Sequence, residues 1–188
     1  IVTRLTSPRR SWACEILALF VAACAARPGP DVLLPVTSGT VAEAKETRVW
    51  MVTTRARDQA DPWSFGQDRA PAPSYGYFDI SVPPGHKSGE IEWPKGRKPD
   101  PAKDFVTLGQ QALPARDFLK QVGHGEIGVY IHGYNPSFQE ALYRMAQLAA
   151  DAHIDGRPIL FSWPSQANVA GYIADRDGAD YSRSALAG

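Results

Sequence analysis

Glu126-Ile127-Gly128-Val129-Tyr130-Ile131 leads into His132-Gly133-Tyr134-Asn135-Pro136, and further on Pro158-Ile159-Leu160-Phe161-Ser162-Trp163 runs up to Pro164. Both apolar runs are nearly unbroken, as in parallel-sheet strands covered on two faces. Between them Phe138, Ala141, Leu142, Met145, Leu148, Ala149 and Ala152 recur at helical spacing, with Ser137 and Glu140 in capping-box register. Strand, helix, strand in this order implies a right-handed parallel crossover and places the chain in the α/β class.

Upstream of this unit the pattern changes. Val49 to Thr54 is a β-branched and aromatic run ended by Arg55, which reads as a first strand. Phe78–Val82 and Gly89–Trp93 alternate apolar and polar residues and read as two short antiparallel strands with one wet face. Nine of the 16 prolines lie between Pro62 and Pro114, so this region is expected to be irregular and dominated by loops. Ala115 to Val122 reads as a short helix behind Pro114. The expected sheet is therefore mostly parallel, with an N-terminal antiparallel and loop-rich part.

The chain has 188 residues, 44% of them hydrophobic, which is about one domain's length and enough for a core. Twenty basic residues against twenty acidic ones remove the broad positive field that non-specific nucleic-acid binding needs, so no nucleic-acid partner is expected.

Arg4, Arg9 and Arg10 precede an apolar run from Ile16 to Ala23 that ends in small residues, the order found in a secretory signal peptide. The run is too short to span a bilayer, which takes about 20 apolar residues. Val21-Ala22-Ala23-Cys24 resembles a bacterial lipobox, in which Cys24 would be lipidated and anchor the protein to a membrane surface. Ordinary cleavage near Ala23-Cys24-Ala25 and an uncleaved first helix are the competing readings. The only cysteines are Cys14 and Cys24, both in this segment. The expected layout is a signal peptide with lipobox over 1–24, a linker over 25–46 and a domain over 47–188, located in the cell envelope.

The turn His132-Gly133-Tyr134-Asn135 follows the carboxyl end of a buried strand, and in open α/β sheets ligands bind in the crevice outside those ends. Gly133 lets a ligand approach the backbone without a side-chain clash. Peptide N–H groups at the start of the following helix point at whatever sits there, which suits developing negative charge. A plain tight turn with His132 packed structurally explains the same spacing.

These residues resemble a bacterial alpha/beta-hydrolase family of unknown function within the esterase/lipase superfamily. The likeness runs through Val129 to Asn135, Leu160 to Ser165, Gly171-Tyr172, Asp175-Arg176 and Tyr181-Ser182-Arg183, and upstream through Thr53-Thr54-Arg55, Tyr75-Gly76, Val82-Pro83-Pro84 with His86, and Asp104-Phe105. It implies a serine-hydrolase fold acting on small-molecule esters. Within that fold the Tyr134 backbone N–H is the implied first oxyanion donor, and Asn135 would hold the turn or cap the helix. Ser162, Trp163 and Ser165 would lie on the same rim.

One departure limits the activity expected. The family's nucleophile sits in a G-x-S-x-G-like elbow on a later strand, and this sequence has none. Gly85-His86-Lys87-Ser88-Gly89 places Ser88 one position too late and among prolines. Tyr181 to Gly188 reads as a helix just beginning, so the chain reads as an incomplete alpha/beta-hydrolase fold, carrying the oxyanion turn without nucleophile, acid or base. The rival is a non-catalytic envelope lipoprotein that uses the scaffold as a binding module.

Other patterns carry less. Gly123-His124-Gly125-Glu126-Ile127-Gly128 matches G-x-G-x-x-G but precedes its strand and reads as a loop. His86, His124, His132 and His153 lack metal-ligand spacing, so no metal and no other cofactor is expected. Asp175, Asp177 and Asp180 read as a solvated, helix-capping stretch.

Overall fold

The computed structural model describes residues 27–37, 41, 43–59, 61, 63–94 and 98–187. The signal-peptide and lipobox reading over 1–24, including Cys24, lies outside the described residues.

One five-stranded sheet organises the chain. Its strands are β1 (Lys45–Arg57), β2 (Phe65–Val82), β3 (Val106–Leu113), β4 (Ile127–Ile131) and β5 (Arg157–Ser162). They lie in the order β3-β2-β1-β5-β4. β1 pairs antiparallel with β2, and β2 with β3, whereas β1 with β5 and β4 with β5 are parallel. The α/β class holds, with the antiparallel part at the N-terminal side and the parallel part behind it, in a sheet that is evenly mixed.

Among the described residues three α-helices complete the fold: α1 (Ala115–Val122), α2 (Phe138–Asp151) and α3 (Tyr172–Ala187). α2 starts on a complete capping box, with Glu140 N–H donating to the Ser137 side chain and Ser137 N–H to the Glu140 carboxylate. The helix lays Phe138, Ala141, Leu142, Met145 and Ala146 against Val49, Met51, Phe78, Ile80 and Leu160. The alternation of β1 sends Trp50 to the opposite face, where Phe118 and Val122 of α1 meet it together with Leu113 and Ile159.

Several expectations need correction. Residues 30–37, read as part of a linker, are packed: Val32 and Leu33 are buried, the Val36 N–H donates to the Thr107 carbonyl, and the Tyr143 hydroxyl donates to the Val32 carbonyl at 2.7 Å. The proline-rich stretch is not all loop, because β2 runs for 18 residues through Pro71 and Pro73. Strand pairing jumps from Thr53 opposite Ser74 to Arg55 opposite Arg69, so both prolines fall in the bulge, where no ladder N–H is needed.

Gly89–Trp93 is not a strand; the third antiparallel strand is β3, whose Gly109-Gln110-Gln111 centre breaks the alternation that marks a strand. β4 is an edge strand rather than one covered on both faces, with Ile127, Val129 and Ile131 about half exposed. α3 begins at Tyr172, not near Tyr181. Its inward positions are Asp175, Gly178 and Ser182, a polar and small stripe that hydrophobic periodicity does not reveal.

Candidate functional site

The parallel strands end together, and β1 overshoots them. Thr53 is the last β1 residue paired with β5, opposite Ser162, and its hydroxyl donates to the Ser162 carbonyl at 2.8 Å. Two residues further on, Arg55 lies over the carboxyl ends of β5 and β4 with only 1% of its surface exposed.

Its guanidinium is almost fully engaged. Nε donates to Ser162 Oγ at 2.9 Å, Nη1 to the carbonyls of Gly66 and Ser165 at 3.1 Å each, and Nη2 to the Pro136 carbonyl at 2.9 Å. Burial pushes its pKa down to about 10, against the opposing pull of Asp175 and Glu140, so it stays charged at neutral pH.

His132 sits beneath the turn, 2% exposed. Its ring stacks on Trp163 with centroids 4.9 Å apart, and Trp163 Nε1 donates to the His132 carbonyl at 2.9 Å. Nδ1 faces the Gly133 carbonyl at 2.8 Å; Nε2 faces Ser162 Oγ and the Trp163 carbonyl, both at 3.1 Å, with Arg55 Nη2 at 3.4 Å. Because Ser162 Oγ already accepts from Arg55, its proton is free to go to Nε2. We therefore assign the Nδ1–H tautomer. Burial, and then the Arg55 charge, pull the imidazole pKa down to about 4, so it is neutral at physiological pH.

The other end of the turn is held by a residue the sequence reading left outside the site. Asp175, expected in a solvated stretch, is 2% exposed. Its carboxylate accepts from Ser165 Oγ and Gln166 N, both at 2.6 Å, and from Asn135 N at 3.2 Å. Asn135 N also donates to Ser165 Oγ at 3.0 Å. Asn135 thus holds the turn with φ of 80°, and the helix cap belongs to Ser137. Its Oδ1 is buried without a hydrogen-bond partner among the described residues.

The turn is therefore clamped at His132, Asn135 and Pro136, while Gly133 and Tyr134 between the clamps are exposed. A Cβ added at Gly133 would meet no atom within 4 Å, so the space above the turn is open. Ser162, Trp163 and Ser165 lie with His132 in this cluster, but under the turn and buried instead of lining an open rim. The Asn135 N–H is consumed by Ser165 and Asp175. Ser162 and His132 are within hydrogen-bond reach, as a nucleophile and its base would be, yet Ser162 is fully buried and its oxygen accepts from a cation. The pair is built to hold the turn.

Beside the turn lies a cleft of about 290 Å³, which Tyr134, Asn135 and Pro136 help to line. Its other walls come from α2, from Arg27, from Tyr130 and from the segment carrying Ile91 and Trp93.

Fold and rim together define an alpha/beta-hydrolase-like domain. Residues 110–188 match the family described as alpha/beta hydrolase of unknown function (DUF900). That span includes β4, α2, β5, α3 and the whole turn, whereas Arg55 lies ahead of it. No curated protein and no solved structure matches the chain.

Two residues central to the cluster were missed as site residues from sequence. Arg55 had one signal, a basic side chain ending an apolar strand. Asp175 had another, an acid three residues before the glycine at 178, in the helix that packs on the rim.

Proposed function

We propose that this domain supplies the oxyanion-stabilising turn of a serine hydrolase that acts on small-molecule esters through an acyl-enzyme, with nucleophile, acid and base outside residues 27–187. The observation that carries this reading is the clamped turn. A buried network from Arg55 to Asp175 fixes His132, Asn135 and Pro136, the Tyr134 hydroxyl donates to the Asn168 carbonyl at 3.2 Å, and the space above Gly133 is open. Donors held rigid before the reaction need no reorganisation as the oxyanion forms, and one such donor is worth about 10²–10³ in kcat. The Tyr134 main-chain N–H is the donor we assign.

The Arg-rich start, the Ile16–Ala23 run and Cys24 support a place at the cell envelope with a lipid anchor. A binding module on the same scaffold is the second reading, favoured by the inaccessibility of the Ser162–His132 pair.

The test uses a fluorophosphonate probe together with ester hydrolysis. The 188-residue chain alone should show no labelled serine, while the complete gene product should label at one serine. In that product Tyr134→Pro, which removes the N–H, should lower kcat about 10²-fold relative to Tyr134→Ala, which keeps it. Labelling at Ser162 would overturn the reading, as would an unchanged kcat in the folded variant. An unlabelled gene product favours the binding module.

A further inference from the structure

The cleft beside the turn has a charge arrangement that the clamp does not use. Arg27 and Arg144 both line it, and Glu140 is the carboxylate among its walls. Glu140 is already engaged, 3.2 Å from Arg27 Nη1 and accepting the Ser137 N–H at 2.7 Å. Arg144 is different. Its Nη1 donates to two neutral oxygens, the Gly89 carbonyl at 3.3 Å and Gln147 Oε1 at 2.7 Å. Among the described residues, no carboxylate forms an ion pair with it.

A half-buried guanidinium has lost part of its hydration, and its remaining N–H donors form a fork that matches a carboxylate. Tyr130 lines the same cleft, and its hydroxyl makes no hydrogen bond to any described residue, leaving a donor for a second oxygen. Ile91 and Trp93 form an apolar wall, with Trp93 held against Tyr143 at a centroid distance of 4.8 Å. The volume lies near the lower end of the range for small-molecule sites.

We infer that this cleft binds a small carboxylate with a flat apolar body, Arg144 and Tyr130 taking the carboxylate and Trp93 with Ile91 covering the body. The inference rests on the hydrolase reading only for its link to catalysis: it makes the favoured substrate an ester that keeps an anionic group on its acyl or alcohol part. The cleft meets the turn through Tyr134 and Asn135, so a substrate anchored by its anion at Arg144 lies alongside the proposed oxyanion donor.

Binding to the full chain, read by Trp fluorescence and ligand-observed NMR, tests this without any turnover. Benzoate should bind at least tenfold more tightly than benzamide, and more tightly than inorganic phosphate. Arg144→Gln should abolish the preference over benzamide, Arg144→Lys should keep part of it, and Tyr130→Phe should weaken benzoate about three- to tenfold. Equal binding of benzoate and benzamide would overturn the inference, as would a preference that survives Arg144→Gln in a folded variant. Phosphate binding as tightly as benzoate would overturn the apolar half of it. Selective benzoate binding by a gene product without esterase activity would leave the cleft assignment standing and remove the hydrolase reading; activity without benzoate preference would do the reverse.

Discussion

Arg55 carries a permanent charge into a place with almost no water, and four oxygens from β2, β5 and the two loops that follow the parallel strands converge on it. Such a cation is tolerated because four of its five N–H donors are matched by oxygens, and removing one partner would leave several kcal/mol of unpaired charge. Burial, and after it the Arg55 charge, keep His132 neutral, and this has a pH signature. In the folded state the imidazole titrates near 4, against about 6.5 when unfolded. The unfolded chain therefore binds more protons between those values, and stability rises with pH across that window by on the order of 3 kcal/mol. His86 acts in the opposite sense. It bridges Glu92 and Asp151 at 2.9 Å each; burial alone would lower its pKa, but these two carboxylates outweigh burial and raise it. Its contribution is complete below about 6.5 and is lost as pH rises through the raised value. Asp151, held down to about 2 mainly by the Gly89 N–H and the Gln147 amide against the effect of burial, loses its share only in strong acid. Urea unfolding at a series of pH values should show stability climbing from pH 4 to 6.5, and His86→Gln should leave the His132 part of that climb in place while removing the decline above 6.5. A flat profile across the window would mean that His132 is not buried as described.

At the scale of elements, α3 is joined to the sheet by polar and small residues. Thr54 Oγ1 and Ser182 Oγ lie 2.7 Å apart, Asp175 reaches the turn, and between them Gly178 lets the helix approach β5's exit loop. A Cβ at 178 would sit 2.4 Å from the Pro164 carbonyl oxygen, a backbone atom that cannot swing aside. On an open helix face Gly→Ala gains about 1 kcal/mol of propensity. Here the clash dominates. Gly178→Ala should lower stability by about 1–3 kcal/mol and loosen Asp175 from Asn135, as hydrogen exchange of the Asn135 and Gln166 amides would report. Increased stability with unchanged exchange would show that α3 is free to shift. The same stripe explains what sequence reading can reach. α1, α2 and the two parallel strands have apolar positions at the period of their own geometry and were legible. α3 has no such pattern, β3 is interrupted by Gly109 and two glutamines, and β2 carries prolines that are tolerated only because a bulge removes their ladder partners. In the site, His132 to Asn135 could be located because they are contiguous. Arg55 and Asp175 come from 77 and 43 residues away in sequence from His132, and only the register of β1 on β5 and the packing of α3 bring them there.

The sheet as a whole has two unlike edges. β3 is accompanied by residues 30–37, whose Val36 donates to Thr107 and whose Val32 carbonyl accepts from both Thr107 Oγ1 and Tyr143. β4 has no such neighbour among the described residues. β5 lies between β1 and β4, so the exposed edge on this side belongs to β4. Ile127, Val129 and Ile131 are 49%, 49% and 47% exposed on one face of that edge strand, and Leu119 of α1 is also exposed, at 68%. A short edge strand with unpaired backbone groups and a β-branched apolar face is a template for pairing with another chain. The 188-residue polypeptide should therefore self-associate at micromolar concentration, with the sheet edge as the contact. Because Val129 faces outward, Val129→Lys adds a charge to the edge without disturbing Tyr130 and the α2 face, and the cost in stability should stay within about 0.5 kcal/mol. Light scattering across a concentration series should show the variant remaining monomeric where the unsubstituted chain does not. If both are equally monomeric, β4 is covered in solution; if both associate to the same extent, the contact lies elsewhere on the surface.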